Sequence, residues 1–221
     1  MICFIVTTCV VKETLVNIDR KGDVDMNSKE EIIKKNKELV KKYPFLLPRN
    51  DFTDEVPEDY DYSWTEWDAI PDGWRTAFGD MLLEDIYNDA VEHDYLDSLR
   101  FDQIKEKFGE LRIYARGYRG GRLDEIISNY SLLSGCICIN CGKPDVYCTS
   151  GWIMPICKEC WEHGSEQPYE EAVYKYGDEE YGRMSDVRKY SRGVDGKFKT
   201  FEVDISGLAN RIRERWNSND K

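Results

Sequence analysis

Two Cys-x-x-Cys pairs, Cys138-Ile139-Asn140-Cys141 and Cys157-Lys158-Glu159-Cys160, stand fifteen residues apart and constrain this chain more than any other feature. The spacing is that of a four-thiolate metal site. Each two-residue gap lets one tight turn deliver two sulfurs to the same ion, and zinc suits the set because it takes four soft ligands in a tetrahedron. Gly142 and Pro144 then turn the chain away. Four thiolates leave no open position for water, so Cys138, Cys141, Cys157 and Cys160 are expected to hold a structural Zn²⁺. Cys136, Cys148 and His163 lie close enough in sequence to substitute as ligands, and the expectation is that they stand aside. A redox Cys-x-x-Cys protein needs one reactive pair beside a helix start, whereas two matched pairs favour zinc. Thr149-Ser150-Gly151 reads as the hairpin turn between the pairs, giving a zinc ribbon over 136–163.

The net charge of −12 disfavours nonspecific binding of the whole molecule to nucleic acid or anionic membranes. Its distribution says more. Residues 51–100 carry sixteen Asp and Glu against Arg75 and Arg100, while 183–221 are net basic. The apolar start Met1 to Val11 lacks a basic flank and a small-residue cleavage site, and it is too short to span a bilayer. With four of the eight cysteines at metal spacing, a cytoplasmic setting is expected.

The chain divides into 1–25, a leader or N-terminal extension; 26–135, a mainly helical acidic region; the ribbon, 136–163; and 164–221, a C-terminal hairpin and helix. Purine-rich codons for Arg20-Lys21-Gly22 would place a ribosome-binding site before Met26, so Met26 is the expected start; an ordinary N-terminal strand is the alternative. A helix is expected from Ser28, with capping-box spacing to Glu31, until Pro44. The acidic loop 51–73 holds Tyr60, Tyr62, Trp64 and Trp67, expected rings inward and carboxylates outward. Trp74, Ala77, Phe78, Met81, Leu82, Ile86, Ala90 and Val91 mark an amphipathic helix over about 73–93. Phe101 to Phe108 reads as a shorter helix stopped by Gly109, Leu111 to Ala115 as a strand, and 123–134 as a third helix. Tyr169 to Tyr176 reads as loosely helical. Val187 to Val194 and Lys197 to Ile205 read as a hairpin turning on Asp195-Gly196, and Ser206 as the cap of a last helix. The fold class expected is α+β, helices with small antiparallel β elements and the embedded ribbon.

Two surfaces have binding chemistry, although a solvated charged face is the commoner explanation of each, and the arginines can instead pair with the acidic helix. Arg112, Arg116, Arg119 and Arg122, in a glycine-rich turn with Tyr114 and Tyr118, can hold phosphates and stack on bases. Asp80, Glu84, Asp85, Asp89 and Glu92, on one helix, can present carboxylates to a basic groove in place of a nucleic-acid backbone. No phosphate loop, Gly-x-Ser-x-Gly elbow or dinucleotide fingerprint occurs. The only histidines, His93 and His163, are too few for a histidine-built metal hydrolase, and His93 is expected on the surface. Carboxylate pairs binding Mg²⁺ would be the route to an enzyme.

The string Ile104-Lys105-Glu106-Lys107-Phe108-Gly109-Glu110-Leu111-Arg112-Ile113-Tyr114, then Cys-x-x-Cys-Gly-Lys-Pro, Gly151-Trp152-Ile153 and the last Cys-x-x-Cys, resembles a largely uncharacterised family of small bacterial and phage proteins with an embedded four-cysteine zinc ribbon. The resemblance covers about residues 43–163. It implies the zinc site at Cys138, Cys141, Cys157 and Cys160 and a phage or mobile-element origin. The expectation is a non-catalytic accessory protein that binds a host protein through its acidic surface and inhibits a defence or nucleic-acid-handling enzyme. The alternative is a nucleic-acid-binding regulator using the arginine turn and the ribbon; a carboxylate metal enzyme is the third.

Overall fold

The amphipathic pattern that begins beside Trp74 organises the core. The computed structural model describes residues 26–50, 52–149, 153–172, 174–176, 179–181, 187–194 and 197–219. Within it, α2 (Asp72–Trp74), a π-helical stretch (Arg75–Gly79) and α3 (Asp80–Glu92) follow one another directly. Trp74, Phe78, Leu82, Ile86 and Ala90 recur every fourth residue, which stacks them along one face, and all are fully buried. Tyr43, Phe45 and Leu46, which follow α1 (Met26–Lys42), pack into the same core. So do Trp67 and Ile70, then Leu123, Tyr130 and Leu133 of α4 (Leu123–Ser134), and Ile205, Ala209 and Ile212 at and within α6 (Ser206–Asn219).

The architecture is α+β, with paired antiparallel strands between helices. One expectation fails outright: Phe101 to Phe108 is not a helix. It forms β1 (Arg100–Lys107), paired with β2 (Glu110–Arg116). Phe101 and Ile104 are both buried, a three-residue spacing that mimics a helical stripe. The register shows the cause. Phe101 faces Ala115 and Ile104 faces Ile113, but Gln103 faces Tyr114, so the bulge at Asp102 resets the two-residue alternation. Gly109 is therefore half of a two-residue turn rather than a helix cap. Phe108 and Gly109 both have positive φ, 55° and 77°, as a type I′ turn requires.

Phe108 is a costly occupant of that turn. A bulky side chain at positive φ is strained, and its ring remains 70% exposed, so packing does not offset the cost. Asparagine tolerates this conformation, so Phe108→Asn should stabilise the protein by about 1 kcal/mol, read as a higher urea midpoint at unchanged slope.

Smaller departures have local causes. α1 starts two residues before Ser28. In the acidic loop Trp67 is buried and Tyr60 and Tyr62 pack on each other at 4.7 Å, but Trp64 stays largely open. Tyr169 to Tyr176 is not helical: β4 (Glu171–Ala172) pairs with β3 (Cys148–Thr149), and β5 (Tyr174–Tyr176) with β6 (Glu179–Tyr181). Aromatic residues favour such pleated pairing. β7 (Val187–Val194) and β8 (Lys197–Asp204) form the expected hairpin, with Val194 opposite Lys197. At the start of α6 the accepting side chain is Asp204, which takes the Ser206 N–H at 3.0 Å, rather than Ser206 itself. The expected leader 1–25, Asp195-Gly196, and Ser150 and Gly151 of the expected ribbon turn lie outside the described residues. Among the described residues no helix is long and apolar enough to cross a membrane.

Several carboxylates tie the layers together. Asp61 is held down to about 2, chiefly by hydrogen bonds from Ser63 and then by Lys29. Glu84 is also lowered, by the Lys42 ammonium at 2.7 Å and the Tyr43 hydroxyl at 3.0 Å. Folded-state values below the unfolded ones mean that these groups contribute stability above the ordinary carboxylate range and lose it as pH falls through the depressed values. The thermal midpoint should accordingly fall between pH about 4 and about 2, a change followed by circular dichroism.

Candidate metal centre

Each cysteine pair is shaped by its own backbone. In the first, Cys138 N–H donates to Lys143 O at 2.8 Å and Gly142 N–H to Cys138 O at 2.9 Å. That closure requires Gly142 at φ 83°, a conformation glycine adopts without strain. The second pair is built on a helix start: α5 (Lys158–Gly164) begins directly after Cys157 and carries Cys160 on its first turn. Ile139 N–H donates to Pro155 O at 2.8 Å, which joins the two knuckles.

The four sulfurs of Cys138, Cys141, Cys157 and Cys160 all lie within 4.8 Å of one another and can hold a metal ion. Cys138 and Cys157 are buried, Cys141 and Cys160 partly so. Their acidities show why a cation belongs there. Hydrogen bonds from Cys141 and Cys157 hold the Cys138 thiol far below its usual range. The cost appears on its neighbours: Cys141 is pushed up to about 12, first by its bond to Cys138, Cys160 to about 12, first by burial, and Cys157 upward by its bonds to Cys138 and Cys141. Burial and mutual proximity disfavour four thiolates at one point. A bound cation supplies the missing positive charge and releases protons.

Around the sulfurs, Val146, Ile156, Met154, Trp161 and Tyr169 form a small apolar cluster separate from the main core. Trp161 donates to Gln167 O at 2.8 Å and Tyr169 to Ile156 O at 3.0 Å, folding the segment after α5 back over the site. Cys136, Cys148 and His163 are not in the converged set. Cys136 and Cys148 are buried, and His163 Nδ1 lies 2.8 Å from Glu159 O.

The first knuckle is seated on the main core through a contact that sequence reading missed. Gly73 N–H donates to Ile139 O at 2.9 Å, and Trp74 Nε1–H donates to Ile137 O at 2.9 Å. A Cβ on Gly73 would lie 2.2 Å from Cys138 O and 2.6 Å from Ile139 O; one on Gly142 would lie 2.7 Å from Gly73 O. Two glycines therefore let helix and knuckle touch backbone to backbone. A small residue beside the tryptophan that opens an amphipathic helix was the available signal.

Most residues of the two candidate binding surfaces are paired with other parts of the chain, although Asp80, Glu84 and Arg122 keep exposed side chains. Burial pushes the Asp80 carboxyl up, but Arg215 at 2.5 Å outweighs this and holds its pKa below the ordinary carboxylate value. Glu84 takes Lys42 and Tyr43, and Asp85 accepts from Tyr130 at 2.6 Å and lies 3.8 Å from Arg211. Asp89 is buried, accepting from the Tyr95 hydroxyl and from Arg122 N–H at 2.9 and 3.0 Å. Glu92 alone of the five stays exposed without such an ion pair among the described contacts. His93 follows the end of α3, exposed as expected, with Nδ1 3.0 Å from Asp89 O. In the arginine turn, Arg116 pairs with Asp54 and Asp102 at 2.8 and 2.6 Å, Arg122 with Glu125 at 2.7 Å, and Arg112 with Glu110 at 2.7 Å. Arg119 is exposed. The reason is proximity in the fold: α6 brings Arg211 and Arg215 to Asp85 and Asp80, the Arg122 backbone N–H meets Asp89, and Arg116 reaches Asp54 and Asp102, pairings between segments distant in sequence.

Comparison with known proteins finds no family model, no curated protein and no solved structure that matches this chain.

Proposed function

We propose that this chain is a non-catalytic zinc-binding accessory protein, of phage or mobile-element kind, that acts in the host cytoplasm by engaging a host protein. The observation that carries the reading is the convergence of four thiols within 4.8 Å on a site with no non-sulfur ligand among the described residues. Zinc suits such a donor set, and a full sulfur shell gives it a holding role rather than a catalytic one. Cys138, Cys141, Cys157 and Cys160 hold the ion; Gly73 and Trp74 seat the first knuckle on the core.

The acidic surface is narrower than the helix pattern suggests. Glu55, Glu58 and Asp59 in the loop before α2, and Glu92, Asp94 and Asp97 at the end of α3, remain exposed. These are the carboxylates that a basic host surface can meet, and blocking a nucleic-acid-handling or defence enzyme is the consequence proposed for such a contact. Affinity capture with the zinc-loaded chain from a bacterial lysate tests it. A specific host protein should be retained by the native chain and lost from a Glu92→Lys/Asp94→Lys/Asp97→Lys variant. Recovery of background proteins alone, or retention unchanged by charge reversal, counts against the reading.

A further inference from the structure

The β1–β2 hairpin has one face in the core and one in solvent. Cross-strand pairing places Gln103 with Tyr114, Lys105 with Arg112, and Lys107 with Glu110 on the outer face, since Ile104 and Leu111 are buried on the other. We infer that this outer face, together with Phe108 at its tip, is a binding platform for single-stranded nucleic acid.

Cations and rings are interleaved along it. Lys105 Nζ stands 5.0 Å from the centroid of the Tyr114 ring, and Lys107 Nζ 5.4 Å from that of Phe108. Both rings are exposed, Phe108 at 70% and Tyr114 at 46%. Lys105, Lys107 and Arg112 face a single carboxylate, Glu110, so a molecule that is acidic overall carries a locally basic strip here. Side chains on one face of a strand repeat every ~7 Å, which offers successive positions for phosphates at the ammonium groups and for bases on the ring faces.

Phe108 is the decisive residue. It occupies a left-handed turn position that favours asparagine or glycine, and buries little of its ring in return. Strain kept without a packing return points to use of the exposed group. An acidic peptide would satisfy the lysines but has no flat faces to place on Phe108 and Tyr114; a single strand satisfies both. The residues differ from the exposed carboxylates assigned to the host protein, so the two readings stand or fall separately. The pairing of Lys105 and Lys107 escapes a helical reading of 101–108, because strand alternation is what brings these two to one face.

The test uses the full zinc-loaded chain and a short labelled oligothymidylate, followed by fluorescence anisotropy between about 50 and 200 mM salt. Binding should weaken with salt at a log–log slope of roughly −2, with about 0.7 of that slope lost in Lys105→Gln and again in Lys107→Gln. Phe108→Asn, whose zinc content and thermal midpoint should equal or exceed those of the native chain, should weaken binding at least about fivefold, as should Tyr114→Ala. Absence of binding at low salt, affinity unchanged by both ring substitutions, or tighter binding to oligoglutamate than to oligothymidylate overturns the assignment.

Discussion

Replacing Gly73 with alanine should cost about 3 kcal/mol of stability, a result opposite in sign to what the helix alone would give. In an exposed helix, glycine to alanine is stabilising by about 1 kcal/mol. Here the new methyl would meet Cys138 O at 2.2 Å and the Ile139 carbonyl at 2.6 Å, and these are backbone atoms that cannot swing aside. The knuckle must lift, and the Gly73 N–H to Ile139 O and Trp74 Nε1–H to Ile137 O bonds go with it. Urea unfolding read by tryptophan fluorescence measures the effect. A Gly73→Ala chain as stable as the native one would show that the knuckle does not rest on this helix.

Replacing Cys141 with serine should lower zinc affinity by more than about 100-fold, because removal of even an outer-shell partner commonly costs 10- to 100-fold. A hydroxyl is a hard, poorly ionised donor, and three sulfurs remain around an ion that takes four. The damage should be local. Residues around Val146, Ile156, Trp161 and Tyr169 have a small apolar cluster of their own, too few to hold the segment without metal. Limited proteolysis should therefore cut within 138–169 first, while the core around Trp74, Phe78 and Tyr130 stays protected. Acid should do the same to the native chain, since protons compete with the metal for the thiolates. Cleavage spread evenly over the whole chain would contradict this local account.

What could be read in advance divides along a physical line. The cysteine spacing, the buried face from Trp74 to Ala90 and the hairpin pairing Val194 with Lys197 are local or strictly periodic, and they were legible. The failure at Phe101 and Ile104 came from a bulge, which turns a strand's two-residue period into a helix-like three and is invisible to periodicity. The acidic helix is a narrower surface than its pattern suggests for another reason. Its pattern shows which face is polar, but not that Arg215, Lys42, Tyr130 and Arg122 come from distant segments to occupy Asp80, Glu84, Asp85 and Asp89. The same holds for Gly73, whose role exists only because Cys138 and Ile139 arrive against it.

The central claim is that four converged thiolates hold a zinc ion that fixes the ribbon on the helical core. Elemental analysis of the purified full-length chain, before and after a thiol-reactive displacing agent, tests it most directly. One zinc per chain, released in step with modification of Cys138, Cys141, Cys157 and Cys160 and with loosening of the segment around Trp161, is the predicted result. A chain that carries no zinc and yet keeps that segment ordered and its stability intact would contradict it.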